Sequence, residues 1–98
     1  MNKAGSVFEI HQTFNITGRG IVLTGFILNG DFRLGDIIKF DFNGDLISRK
    51  IKRFDHGMRV EKGKPNVGIL IECKNQKEIE ALRNWRPNRT MAEIRSDW

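Results

Sequence analysis

The stretch Phe14-Asn15-Ile16-Thr17-Gly18-Arg19-Gly20-Ile21-Val22-Leu23-Thr24-Gly25 decides the fold. It runs from one apolar–polar alternation, through a tight Gly-Arg-Gly turn, into a second apolar run rich in β-branched residues. That is the pattern of two strands joined by a short connection. Upstream the alternation continues: Phe8, Ile10, Phe14 and Ile16 fall on one face, Glu9, His11, Thr13 and Asn15 on the other, and Gln12 is the polar exception among the apolar positions. Gly25 stands inside the second run, where a missing side chain predicts a bulge or a sharp bend of the sheet.

Outward from this core the punctuation repeats. Asn29-Gly30-Asp31 and Leu34-Gly35-Asp36 read as turns, 37–42 as a third strand, and Asn43-Gly44 as a two-residue hairpin loop leading into a strand over 46–54. Asp55-His56-Gly57 interrupts that strand. Met58-Arg59-Val60 is a short extended piece, and 61–65 is a polar loop. Residues 67–73 form a continuous apolar run, as in a strand buried on both faces. Between 76 and 85 the period changes. Ile79, Leu82 and Trp85 share one side of a short helix, while Lys77, Glu78 and Glu80 face solvent. Pro87 stops the helix, and 90–95 returns as a strand. Short strands at close spacing with glycine turns predict an all-β, small closed Greek-key-like β-barrel with one short helix near the C-terminus, a single domain over 1–98.

Composition narrows the classes. With 39% hydrophobic and 30% charged residues the chain reads as a soluble globular domain, neither disordered nor membrane-embedded. Residues 1–6 lack the apolar stretch of a secretory signal. Cys73 is the single cysteine. No internal disulfide can form, and the expected compartment is the reducing cytoplasm.

The net charge of +5 is concentrated. Residues 46–65 hold Arg49, Lys50, Lys52, Arg53, Arg59, Lys62 and Lys64 against only Asp55 and Glu61. Such a cluster attracts a polyanion such as nucleic acid. It also describes a solvated strand edge whose lysines block unwanted pairing. A second basic group, Arg83, Arg86 and Arg89, surrounds Trp85. It reads either as a stacking ridge for bases or as solvated arginines around an indole that caps the barrel.

Catalytic constellations are absent from the pattern. His11 and His56 lack the spacing of a metal site, and neither metal nor cofactor is expected. Cys73 could pair with a histidine for nucleophilic catalysis, but its place at the end of an apolar run reads as packing.

The stretch 14–25, followed by Gly30, by Leu34-Gly35-Asp36 and by Asn66-Val67-Gly68-Ile69-Leu70-Ile71, resembles domain 2 of the elongation factor Tu class of translational GTPases, the β-barrel beside the nucleotide-binding domain. The resemblance covers about Val7 to Glu80. There is no Gly-x-x-x-x-Gly-Lys-Ser/Thr loop, so GTP binding by this chain is not expected. The resemblance implies a non-catalytic binding module that contacts RNA (tRNA or ribosomal RNA), with Arg19 matching the arginine of the family's turn; the charge cluster adds the seven cations of 46–65 as the expected contact surface. Phe14 and Asn66 match positions near the family's aminoacyl pocket. The alternative it implies is an assembly domain docking on a protein partner such as a GTPase domain. The chain departs from the family at three places. His11 and Gln12 replace an acidic pair, and Lys52 stands where a glutamate helps form the pocket for the terminal adenine.

Overall fold

In the computed structural model the described residues are 5–16, 20–30, 32–55, 60–61, 64–65 and 67–96. In chain order the elements are β1 (Ser6–Ile16), β2 (Gly20–Asn29), β3 (Ile37–Phe42), β4 (Asp45–Asp55), β5 (Val60–Glu61), β6 (Lys64–Pro65), β7 (Val67–Ile71), α1 (Gln76–Arg83) and β8 (Thr90–Arg95). Six of the strands close a barrel in the order β1-β2-β7-β4-β3-β8, every neighbour antiparallel. Strands adjacent in sequence are not always adjacent in space, which is the Greek-key feature. The all-β barrel with a short C-terminal helix is therefore the observed architecture.

The β3–β4 hairpin follows from its sequence. Asn43 and Gly44 both have positive φ, 54° and 90°, as a type I′ turn requires. The strands then pair without a slip from Phe42↔Asp45 to Ile37↔Lys50. Ile38 and Phe40 point inward beside Ile51, Ile69, Ile71 and Ile94, all buried. All five residues of β7 are buried, as its continuous apolar run predicts.

The two ends of the barrel are closed differently. At the upper end α1 lies across the opening and inserts Leu82, which is fully buried. Asn75 caps this helix, its side chain accepting a hydrogen bond from the Glu78 N–H at 2.9 Å. Trp85, just past the helix, stacks on Phe40 at 5.5 Å and meets Phe42 edge-on at 5.2 Å. At the lower end Phe32, in the β2–β3 connection, packs edge-on against Phe54 at 4.7 Å.

The alternation expected along β1 fails halfway. Ile10 pairs with Gly25 and Gln12 with Thr24, so His11 is an extra residue, and the pleat reverses beyond it. Thr13 and Asn15 face inward, whereas Gln12 and Phe14 face outward, Phe14 being 49% exposed. The cause lies across the ladder. A Cβ on Gly25 would sit 1.7 Å from the Glu9 carbonyl oxygen, so β1 can press against β2 here only because residue 25 has no side chain. Inward-facing Thr13 then donates to the Leu82 carbonyl at 2.8 Å and ties β1 to α1.

Three smaller expectations also change. Residues 60–61 and 64–65 form a two-stranded ladder instead of a loop; Pro65 tolerates it because an edge position needs no N–H. The helix ends at Arg83, two residues before Trp85. Glu78, expected in solvent, is largely buried against β4.

Candidate nucleic-acid interface

β4 carries most of the described cations of the basic segment. Its inward parity is set by Ile47, Arg49 and Ile51, and its outward parity by Leu46, Ser48 and Lys50. Arg49 therefore starts on the inner side, opposite buried Ile38. It reaches up to α1, where its Nε donates to Glu78 Oε1 at 3.0 Å and its second guanidinium nitrogen contacts Oε2, a two-point pairing. The side chains of Arg49 and Glu78 are only 12% and 13% exposed. Glu78 also accepts the backbone N–H of Lys74 at 2.8 Å. The hydrogen bond from Arg49 holds the Glu78 carboxyl below the usual carboxylate range, and the same bond raises the Arg49 guanidinium further. This cation fastens the helix to the barrel wall.

The other three point away from the core. Ile51 pairs with Ile71 and Arg53 with Leu70, so Lys52 is an extra residue in β4. The slip leaves Lys52 and Arg53, consecutive in sequence, both exposed, and turns Phe54 inward to meet Phe32. With exposed Lys50 they make a row of three cations on the outer wall. Lys50 lies opposite Ile37 on β3 and, on its other side, its carbonyl accepts the Glu72 N–H at 3.0 Å, while Arg53 faces Leu70; no ion pair joins Lys50, Lys52 or Arg53 to another described residue.

The remaining expected contacts are distributed as follows. Arg19, Arg59, Lys62 and Asn66 lie outside the described residues. Lys64 is in β6, paired with Glu61, and is described by its backbone only. Phe14 is on the outer face of β1. β1 and β4 are not neighbours in the barrel, so Phe14 and the Lys50–Arg53 row belong to separate walls.

Trp85 takes the packing role, stacked on Phe40, while Arg83, Arg86 and Arg89 around it are exposed. A cleft of about 680 Å³, unanticipated from sequence, opens beside them against residues 11–13 of β1. Its two sides lie about seventy residues apart in the chain, and no local pattern joins them.

Cys73 is half-buried against the core. Burial, reinforced by the Glu78 charge, pushes its thiol up and keeps it protonated near neutral pH. His11 is engaged with Glu9, Nε2 to Oε1 at 2.7 Å, and lies edge-on to Phe26. Among the described residues no three His, Cys, Asp or Glu side chains converge as a metal site would require, and no helix is long and apolar enough to cross a membrane. No family model matches the chain.

Proposed function

We propose that this barrel is a non-catalytic binding module of the translation-factor domain 2 type, and that it engages RNA, tRNA or ribosomal RNA, through the outer wall of β4. The observation that carries the reading is the row Lys50, Lys52 and Arg53: exposed together and without carboxylate partners among the described residues. Cations so placed meet backbone phosphates, which fixes orientation on the nucleic acid and conveys little sequence preference. Arg19, Arg59, Lys62 and Lys64 extend the row in this reading. The chain acts without GTP and in the cytoplasm. Lys52, standing where the family's pocket has a glutamate, offers a phosphate contact in place of a hydrogen-bond acceptor.

Fluorescence anisotropy with labelled tRNA, at two salt concentrations, tests it. Binding should weaken steeply with salt, and Lys50→Gln/Lys52→Gln/Arg53→Gln should weaken it at low salt by more than tenfold, on the order of 1 kcal/mol per lost charge-assisted contact. Unchanged affinity in the triple variant would remove the proposal.

A second reading, docking on a protein partner such as a GTPase domain, is favoured by Leu46 and Met91, 67% and 52% exposed on the outer faces of β4 and β8. Leu46→Ser and Met91→Ser would then abolish capture by that domain while leaving RNA binding intact.

A further inference from the structure

The cleft on the far side of the barrel follows from a mismatch in strand length. β8 begins at Thr90, opposite Ile10, so the upper part of β1 pairs only with β2 in the barrel ladder. The chain leaving α1 runs alongside this upper part before entering β8, and the space between them is the cleft. Its shape is held on both sides. Thr13 is tied to the Leu82 carbonyl, Trp85 is stacked on Phe40, and Pro87 is buried. Asn88 and Arg89 take the left-handed backbone region in succession, with φ of 49° and 67°, a conformation that asparagine tolerates and that arginine adopts rarely.

The chemistry of the lining is one-sided. Arg83 and Arg86 supply two cations, Gln12 and Asn88 supply amides, Trp85 supplies an aromatic surface, and no lining residue is acidic. Arg86 has no ion pair with a described residue, and Arg83 has only an exposed one, 3.6 Å from Glu80 within the same helix, weak enough for a ligand anion to displace. We infer that this cleft binds a phosphorylated ligand with a flat ring, a nucleoside 5′-monophosphate in the simplest case: the phosphate lies between Arg83 and Arg86, and the base lies along the exposed part of Trp85. Guanidinium groups match the two-point geometry of a phosphate dianion, and an indole beside them accepts a base by stacking. The cleft contains neither Phe14 nor Asn66 nor Lys52, so it is distinct from the positions at which the family resemblance would place an aminoacyl end. It also lies off the β4 wall, because β4 is separated from β1 on either path around the barrel.

The test is an amide-resolved NMR titration of the whole 98-residue chain with 5′-AMP, and separately with adenosine and with inorganic phosphate. AMP should give saturable shifts at residues 11–13 and 83–88 and at the Trp85 indole N–H. Adenosine should shift them far less, and phosphate should compete. Arg83→Gln/Arg86→Gln should weaken AMP by about tenfold or more, as loss of charge-assisted hydrogen bonds requires. Both arginines are exposed, so that variant keeps the wild-type spectrum elsewhere and the same Tm. A 5′-phosphorylated single-stranded hexanucleotide distinguishes the sources: tighter binding than AMP at the same residues assigns the phosphate to a strand end, and equal or weaker binding assigns it to a free nucleotide. The β4 triple variant should bind AMP like wild type, which separates this outcome from that of the RNA proposal. Shifts that miss the cleft, adenosine equal to AMP, or an unaffected double-arginine variant would each overturn the inference.

Discussion

Strands β1 and β4 each hold a one-residue bulge, at His11 and at Lys52, and the consequences differ. In β1 the extra residue is His11, and the reversal beyond it sends Thr13 inward to hold α1 and Phe14 outward into solvent. In β4 the extra residue is Lys52, and the reversal keeps Lys52 and Arg53 outside while sending Phe54 inward to seal the lower end. The β1 slip is dictated from across the ladder by Gly25. The β4 slip has no such glycine opposite it, since Ile71 and Leu70 face it; placing two consecutive cations in water and an aromatic ring in the core is what favours it. One bulge shapes the inside of the barrel, and the other composes its surface.

Gly25→Ala should break the comparison most severely. The added Cβ collides with the Glu9 backbone at 1.7 Å, where no flexible side chain can yield. The expected loss is about 4 kcal/mol or more, near the full stability of so small a domain, seen as an unfolded or molten chain by circular dichroism and urea denaturation. A stably folded Gly25→Ala variant would mean that β1 does not need the glycine to bulge.

Glu78→Gln probes the inner cation of β4 and should cost about 2 kcal/mol, because it leaves the largely buried Arg49 guanidinium without its counter-charge. The pH dependence has a definite sign. The folded Glu78 carboxyl is held below its unfolded value, so its contribution is fully present above about pH 5 and is lost as pH falls through the folded pKa. The variant should therefore show a flatter decline of Tm across the acid range than the wild type.

Gly44→Ala, in the regular hairpin, should cost about 1 kcal/mol, the strain of placing an L-residue at φ 90°, with the register unchanged. At the small end, Lys50→Gln/Lys52→Gln/Arg53→Gln should move the urea midpoint by less than about 0.5 kcal/mol equivalent, since these side chains are exposed and make no ion pair among the described residues. A large loss there would show that the outer row stabilises the barrel.

Where each segment follows its own local rule, the sequence is readable. Strand 37–42, the Asn43-Gly44 turn and strand 90–95 appear in the structure with the expected bounds, because alternation and turn chemistry agree there. The inner and outer faces of upper β1 were not readable by simple counting, since an inserted residue resets the parity without changing composition. Gln12, polar at an apolar position, is the trace it leaves, and Gly25 is its cause. Arg49 is the corresponding case for the candidate site. It sits among the cations of 46–65, yet Ile47 and Ile51, two residues to either side, place it on the inward parity. What alternation cannot supply is its partner, because Glu78 is twenty-nine residues away on a helix whose packing only the closed barrel defines.

The most direct test of how charge is divided in β4 is the slope of log affinity against log salt for tRNA, measured on wild type, the triple outer variant and Arg49→Gln. Each phosphate contact contributes about 0.7 to 0.9 to that slope, so the triple variant should lose about 2 to 3 units, while Arg49→Gln, less stable but folded at low temperature, should lose none. An unchanged slope in the triple variant, or an equal loss from Arg49→Gln alone, would contradict the division of this strand into an inner cation that holds the fold and outer cations that meet RNA.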